Sequence, residues 1–291
     1  MTPLLLACLL LAPDGARVRP EPLGTFDARL IPEASGVARS RARQGVFWVH
    51  NDSGNRPVLF AIDRRGRVLR AFDAAVMHLD WEDAAADDRG GIYVGDIGDN
   101  LGILRVRALH RFEEPDPAAP PAGPLRPTAT TYYAREPGDR FDAEGLAIDG
   151  DRAVIVVKRL DGRDPDLRAV PINPPSPVTS PARPEKVGVL PGFPEPVTGA
   201  DLAPGGRLFV ACGVDVVRVY ERPSPPSWDN LRMIAEVRLE KGGHYEGVTW
   251  DGGDLILVGE GGGVARLAKS TWLDRPPGRG SGAAPRRGRR S

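Results

Sequence analysis

Asp142-Ala143-Glu144-Gly145-Leu146-Ala147, followed after a short turn by Val154-Ile155-Val156-Val157, is one of five copies of a single step. The others begin at Glu33-Ala34-Ser35-Gly36-Val37-Ala38, Asp80-Trp81-Glu82-Asp83-Ala84-Ala85, Thr198-Gly199-Ala200-Asp201-Leu202-Ala203 and His244-Tyr245-Glu246-Gly247-Val248-Thr249. After each comes a β-rich run: Val46-Phe47-Trp48-Val49, Ile92-Tyr93-Val94, Leu208-Phe209-Val210 and Leu255-Ile256-Leu257-Val258. Continuous apolar strands of this kind need cover on both faces, so they belong in a core. The Gly/Asp column at positions 36, 83, 145, 201 and 247 advances by 47, 62, 56 and 46 residues, near the ~40 to 50 of propeller blades. Proline-rich inserts at 115–127 and 171–184 account for the two long steps, since proline cannot donate to a strand ladder.

Third and fourth strands follow each pair, as in Val58-Leu59-Phe60-Ala61-Ile62 and Val68-Leu69-Arg70-Ala71-Phe72. The fifth unit ends one strand short, after Val264-Ala265-Arg266-Leu267, while residues 23–30 form a strand without a blade. Pairing the two closes a ring and removes exposed edges. The expected fold class is therefore all-β: a propeller of five four-stranded blades closed by the N-terminal strand. A sixth blade would have to lie within a long insert. A β-sandwich would not need five copies of one step.

The domain plan is a leader at 1–16, one propeller at 17–270 and an Arg-rich disordered tail at 271–291. The leader carries Leu4-Leu5-Leu6-Ala7-Cys8-Leu9-Leu10-Leu11-Ala12, too short to span a bilayer, and lacks a basic n-region. Leu5-Leu6-Ala7-Cys8 also resembles a lipoprotein box, so export is expected, with Cys8 either lipidated or cleaved off. The tail holds Pro276-Pro277 and six arginines with almost nothing apolar to bury. Thirty-nine basic residues balance 39 acidic ones, which gives no reason to expect a nucleic-acid partner. The two cysteines define no disulfide framework. A monomer is expected, with a small-molecule or protein ligand on the face where the blades begin.

In a meander the start of the innermost strand lies beside the end of the second, because the two are antiparallel. One face thus collects Glu33, Asp80, Glu82, Asp142, Glu144, His244 and Glu246 from strand starts, with His50-Asn51-Asp52-Ser53, Asp96 to Asn100, Lys158-Arg159 and Glu260 from second-strand ends. The column two residues after each repeat start reads Ser35, Glu82, Glu144, Ala200, Glu246. If inner strands line an axial channel, three carboxylates converge, and like charges about 4 Å apart repel by about 4 kcal/mol at an effective dielectric of 20. Either protons are shared or a cation sits among them. A hard ion suits the all-oxygen set, and Ca²⁺ accepts backbone carbonyls, so Ala200 could offer its C=O. Zinc fits less well without Cys or His in the column. Unliganded, the same acids would hydrogen-bond backbone amides at blade junctions.

Asp80, Asp142 and His244 are candidates for orienting a water, and His50, Asp52, Lys158 and Arg159 for binding a substrate. A histidine at a strand junction is more often structural. The group Asp96, Asp99 and Asn100 lacks the remaining ligands of a Ca²⁺ loop and suits a turn held by Asx hydrogen bonds. No Gly-x-Ser-x-Gly elbow or Walker loop occurs.

Three segments, His50 to Gly54, Asp80 to Asp83 and Tyr93 to Asn100, resemble the marks of a group of exported bacterial β-propeller proteins, largely uncharacterised. More distantly, the blade column is similar to that of the calcium-dependent apyrases, five-bladed propellers with Ca²⁺ in the central tunnel. Their column of Ser, Glu, Glu, Ser, Glu matches Ser35, Glu82, Glu144 and Glu246 and is broken by Ala200. Phytase-like, esterase-like and six-bladed sugar-lactone hydrolase propellers resemble the chain in the same general way. Two functional expectations follow: an exported binding or scaffold module stapled by Ca²⁺, or a Ca²⁺-dependent hydrolase of phosphate esters or anhydrides. Fold-level analogy alone decides neither.

Overall fold

The protein, described by a computed structural model over residues 17–134, 142–172 and 181–273, folds into five four-stranded antiparallel sheets. Strand β1 (Glu21–Thr25) precedes blade one, which comprises β2 (Ala34–Arg39), β3 (Val46–Asn51), β4 (Val58–Asp63) and β5 (Val68–Asp73). Blade two is β6 (Trp81–Ala86), β7 (Gly91–Asp96), β8 (Val106–Glu113) and β9 (Ala129–Ala134). Blade three is β10 (Asp142–Asp149), β11 (Arg152–Lys158), β12 (Asp166–Pro171) and β13 (Glu185–Val189). Blade four is β14 (Gly199–Leu202), β15 (Leu208–Gly213), β16 (Val216–Glu221) and β17 (Arg232–Arg238). Blade five is β18 (Tyr245–Asp251), β19 (Asp254–Gly259) and β20 (Gly263–Leu267), completed by β1.

This is the five-bladed propeller that the repeat predicts, closed by an N-terminal strand that runs at 21–25 rather than 23–30: β1 pairs with β20 from Glu21↔Arg266 to Thr25↔Gly263. The innermost strands β2, β6, β10, β14 and β18 pack against one another in a closed ring. Small residues allow the close approach. A Cβ at Gly36 would lie 2.3 Å from the Ala84 nitrogen, and one at Gly247 would lie 2.6 Å from the Ser35 carbonyl oxygen. Between blades, apolar faces meet in separate clusters, such as Trp48, Phe72, Trp81 and Phe112 between blades one and two. Trp48, Trp81 and Trp250 are buried core residues, as their strand positions suggest.

The first proline-rich insert stays outside the blades and is stitched to blade one by Leu125, whose N–H donates to the Asp73 carbonyl at 2.7 Å. Of the second, residues 173–180 lie outside the described residues, as do the leader at 1–16 and the tail from 274. The helical segment crosses the expected boundary at 270 by three residues. A short helix, α1 (Lys269–Leu273), buries Trp272 edge-on against Trp250, with ring centroids 5.8 Å apart. No helix among the described residues is long and apolar enough to cross a membrane.

Candidate metal centre

Four of the five innermost strands carry a register irregularity where the polar column falls. Glu82 is the extra residue between Trp81↔Asp96 and Asp83↔Gly95, Glu144 between Ala143↔Val157 and Gly145↔Val156, and Glu246 between Tyr245↔Gly259 and Gly247↔Val258. In blade one, Ser35 and Gly36 occupy the shift between Ala34 and Val37. A bulged residue is left out of the ladder and its side chain is re-aimed. Blade four has no bulge: Ala200 pairs regularly with Ala211, and its N–H donates to Asp83. The column thus fails in blade four in backbone as well as in side chain.

The bulges direct their side chains into a cavity of about 170 Å³ at the end of the ring where the inner strands begin. Ser35, Glu82, Glu144 and Glu246 line it together with Glu33, Asp52, Asn100, Lys158 and Glu260; Ala200 does not. Six carboxylates therefore face one ammonium. Two acidic groups could hold a metal ion, Asp52/Asp80/Glu82 and Glu82/Asp142/Glu144, with ligand oxygens inside each group within 4.8 Å of one another. Glu82 belongs to both. It is 3% exposed, and its Oε1 has no hydrogen-bond partner. A buried carboxylate oxygen left unpaired costs about 1–3 kcal/mol or more, so a cation or a proton is required there. Glu246 lines the cavity but belongs to neither group.

Each of these acidic side chains is held by its neighbours. Asp80 hangs in a loop clasped from both sides: its N–H donates to Asp96 Oδ1 at 2.7 Å, and its carbonyl accepts from Ile97 and Gly98 at 3.1 and 3.2 Å. Asp142 Oδ1 accepts the Asp99 N–H at 2.7 Å. Ser35 donates its hydroxyl to the Glu82 carbonyl at 2.6 Å, tying blade one to the blade-two bulge. Lys158, the last residue of β11, places its Nζ 2.5 Å from Glu144 Oε1 and 3.8 Å from Asp142 Oδ2. Gly98 closes the wall, since a Cβ there would stand 2.1 Å from Glu82 Oε1 and 2.5 Å from Asp80 Oδ2.

The electrostatics follow from burial and crowding. Burial, then the Glu144 charge, raises the Glu82 carboxyl far above its ordinary range. Burial also raises Glu144, against the pull of Lys158. Glu246 is pushed up to about 8 by burial and by Glu144 and Glu260. Asp52 and Asp80 are raised, first by burial. Carboxyls crowded in this way are neutralised either by protons or by a cation, and an all-oxygen set is of the kind that could hold a hard ion.

The remaining candidates are placed differently. His50 is fully buried, edge-on to Trp81, with Nδ1 on the Asn51 carbonyl, and burial lowers its pKa to about 4. That is a packed core imidazole rather than a group lining the cavity. His244 is exposed, with φ at 41°, and meets the site through its carbonyl, which accepts the Glu260 N–H at 3.1 Å. Arg159 lies outside the cavity with its guanidinium on Asp161, in a groove of about 600 Å³ that also touches Asn100, Asp142 and Lys158. Asp99 accepts from Ile103, Leu104 and Arg107, so its segment is a turn held by side-chain hydrogen bonds.

Sequence reasoning missed Asp83. It is fully buried, and its carboxylate accepts the N–H of Ala84 in its own strand at 2.8 Å, Leu146 in blade three at 2.8 Å and Ala200 in blade four at 3.0 Å. One side chain fastens three inner strands beneath the cage. The available signal was an Asp in a column otherwise occupied by Gly36, Gly145 and Gly247. Asp201, the other exception, takes the Thr249 hydroxyl at 2.7 Å and the Trp250 N–H at 3.0 Å.

No family model matches the chain, and no curated protein does. Solved structures similar to it include a gluconolactonase from Xanthomonas campestris, 15% identical, with a TM-score of 0.41 over 88% of this chain and 99% of that one. A chain of the mitotic checkpoint complex is 9% identical with a TM-score of 0.40, over 80% of this chain and 62% of that one. KlHsv2 with loop 6CD replaced by a Gly-Ser linker is 16% identical with a TM-score of 0.32, over 78% and 62%. The chain thus spans under two thirds of the length of the last two.

Proposed function

We propose that this protein is an exported, monomeric β-propeller that binds a divalent cation, Ca²⁺ by the chemistry of its donors, at the axial end where the inner strands begin, and that this end is its ligand-binding face. The observation that carries the reading is the Glu82 carboxylate, buried, with one oxygen lacking a partner and shared between two acidic groups. Side chains from blades one and two would hold the ion: Asp52, Asp80 and Glu82, with Gly98 leaving room for their oxygens. Bound there, the cation would staple the blades and present a Lewis-acidic centre to an oxygen-bearing ligand.

A second reading, hydrolysis of phosphate esters or anhydrides, is supported by the groove beside the cavity, where Lys158, Arg159 and Arg163 stand next to Asp142. In it, Lys158 would steady an anionic group and Asp142 would orient a water. Elemental analysis of the purified protein, with thermal shift before and after chelation, tests the cation. Bound metal absent and melting unmoved by chelator or by added Ca²⁺ would end both readings. Turnover of nucleotide, inositol phosphate or aryl phosphate with Ca²⁺ present separates the enzyme from the binding module.

A further inference from the structure

The two acidic groups that meet at Glu82 are not equivalent. The Glu82/Asp142/Glu144 group already contains a cation, since the Lys158 ammonium sits 2.5 Å from Glu144 Oε1 and 3.8 Å from Asp142 Oδ2. Among the described residues, Lys158 is the cationic side chain lining the cavity. The Asp52/Asp80/Glu82 group has no such occupant, and the unpartnered Glu82 Oε1 lies beside Asp80 Oδ2 under Gly98. The Lys158 backbone is fixed in register with Asp142 across the β10–β11 ladder, and its ammonium reaches Glu144 from there.

We propose that Lys158 is a tethered cation occupying the second compartment of a two-compartment acid cage, so that it limits the site to one divalent ion and determines which compartment that ion enters. This rests on the cation-binding reading above and adds the stoichiometry and the residue that sets it. An ammonium hydrogen-bonded to one carboxylate and ion-paired with a second does for them what a bound ion would do, but carries a single charge and cannot leave. Without it, Glu82, Asp142 and Glu144 form a three-carboxylate group with no counter-charge, of the kind that draws in a hard cation. An ordinary surface salt bridge would behave otherwise, its loss leaving water and no new site.

The test is equilibrium dialysis of the full chain against Ca²⁺ alone near pH 7.5, with folding checked by circular dichroism. The expected stoichiometry is one ion for the native protein and for Lys158→Arg, and two for Lys158→Ala. Lys158→Gln, which keeps a hydrogen-bond donor for Glu144 and discards the charge, is the second neutral variant, with the same doubling expected should Lys158→Ala fail to fold. A folded neutral variant that still takes one ion, or a native protein that takes two, overturns the role of Lys158 and leaves the cation reading intact. A native protein that takes none overturns the cation reading itself.

Discussion

Replacing Glu82 by Gln should stabilise the metal-free protein and weaken its response to Ca²⁺, two effects that seldom come from one buried substitution. Glu82 shares two groups with Asp52, Asp80, Asp142 and Glu144, whose oxygens lie within 4.8 Å. Two ionised carboxylates at that separation repel by about 3.5 kcal/mol at an effective dielectric of 20. Partial protonation relieves most of it, leaving about 1–2 kcal/mol to be gained when the charge is removed. For a propeller of this size that is a rise of about 2–6 °C in Tm without metal. With Ca²⁺ at 100 times its Kd the native protein should gain about 2.7 kcal/mol, or about 5–10 °C, and Glu82→Gln a small fraction of it. Differential scanning calorimetry of both proteins, chelated and with Ca²⁺, measures all four values. A chelated variant less stable than the chelated native protein, with an undiminished Ca²⁺ response, would show that Glu82 is a structural core residue and refute the reasoning.

Asp83→Ala strips the acceptor from three buried N–H groups and should cost about 3–6 kcal/mol in denaturant unfolding, with or without metal; a loss below about 1 kcal/mol would mean that the inner strands are joined by other means. Gly98→Ala puts a methyl group against Glu82 Oε1 and Asp80 Oδ2, so the Ca²⁺-induced rise in Tm should fall by more than half, while the fold, read by circular dichroism, persists. The metal-free protein should lose stability as pH rises from about 5 to about 8. Glu246, raised from 4.5 to about 8, keeps a proton in the native state that the unfolded chain has released across that window. Saturating Ca²⁺ should flatten this trend, and denaturation midpoints that climb with pH without metal would contradict it.

Much of the propeller was legible because its signal is periodic: five steps, each followed by a covered strand, constrain blade number, order and closure together. The column Ser35, Glu82, Glu144, Glu246 was legible for the same reason. Other parts of the site depend on local backbone events that periodicity does not encode. The bulges that turn Glu82, Glu144 and Glu246 inward, and the regular ladder that leaves Ala200 out, arise from how each inner strand pairs with its neighbour. Asp80 enters through a turn whose path is set by Asp96 and by the segment at 97–98, and Asp52 through one tied to the Glu33 carbonyl. His50 stands near the end of a second strand and His244 precedes an inner one; the first is sealed against Trp81 of the neighbouring blade, and the second is exposed. Asp83 read as part of the acidic step, whereas its partners lie 63 and 117 residues away.

The cavity draws its walls from Glu33 at one end of the chain to Glu260 near the other. A nascent polypeptide still on the ribosome has no assembled pocket. Neutralising the pocket's carboxylates, whether by protons or by a cation, is therefore an event of the finished ring.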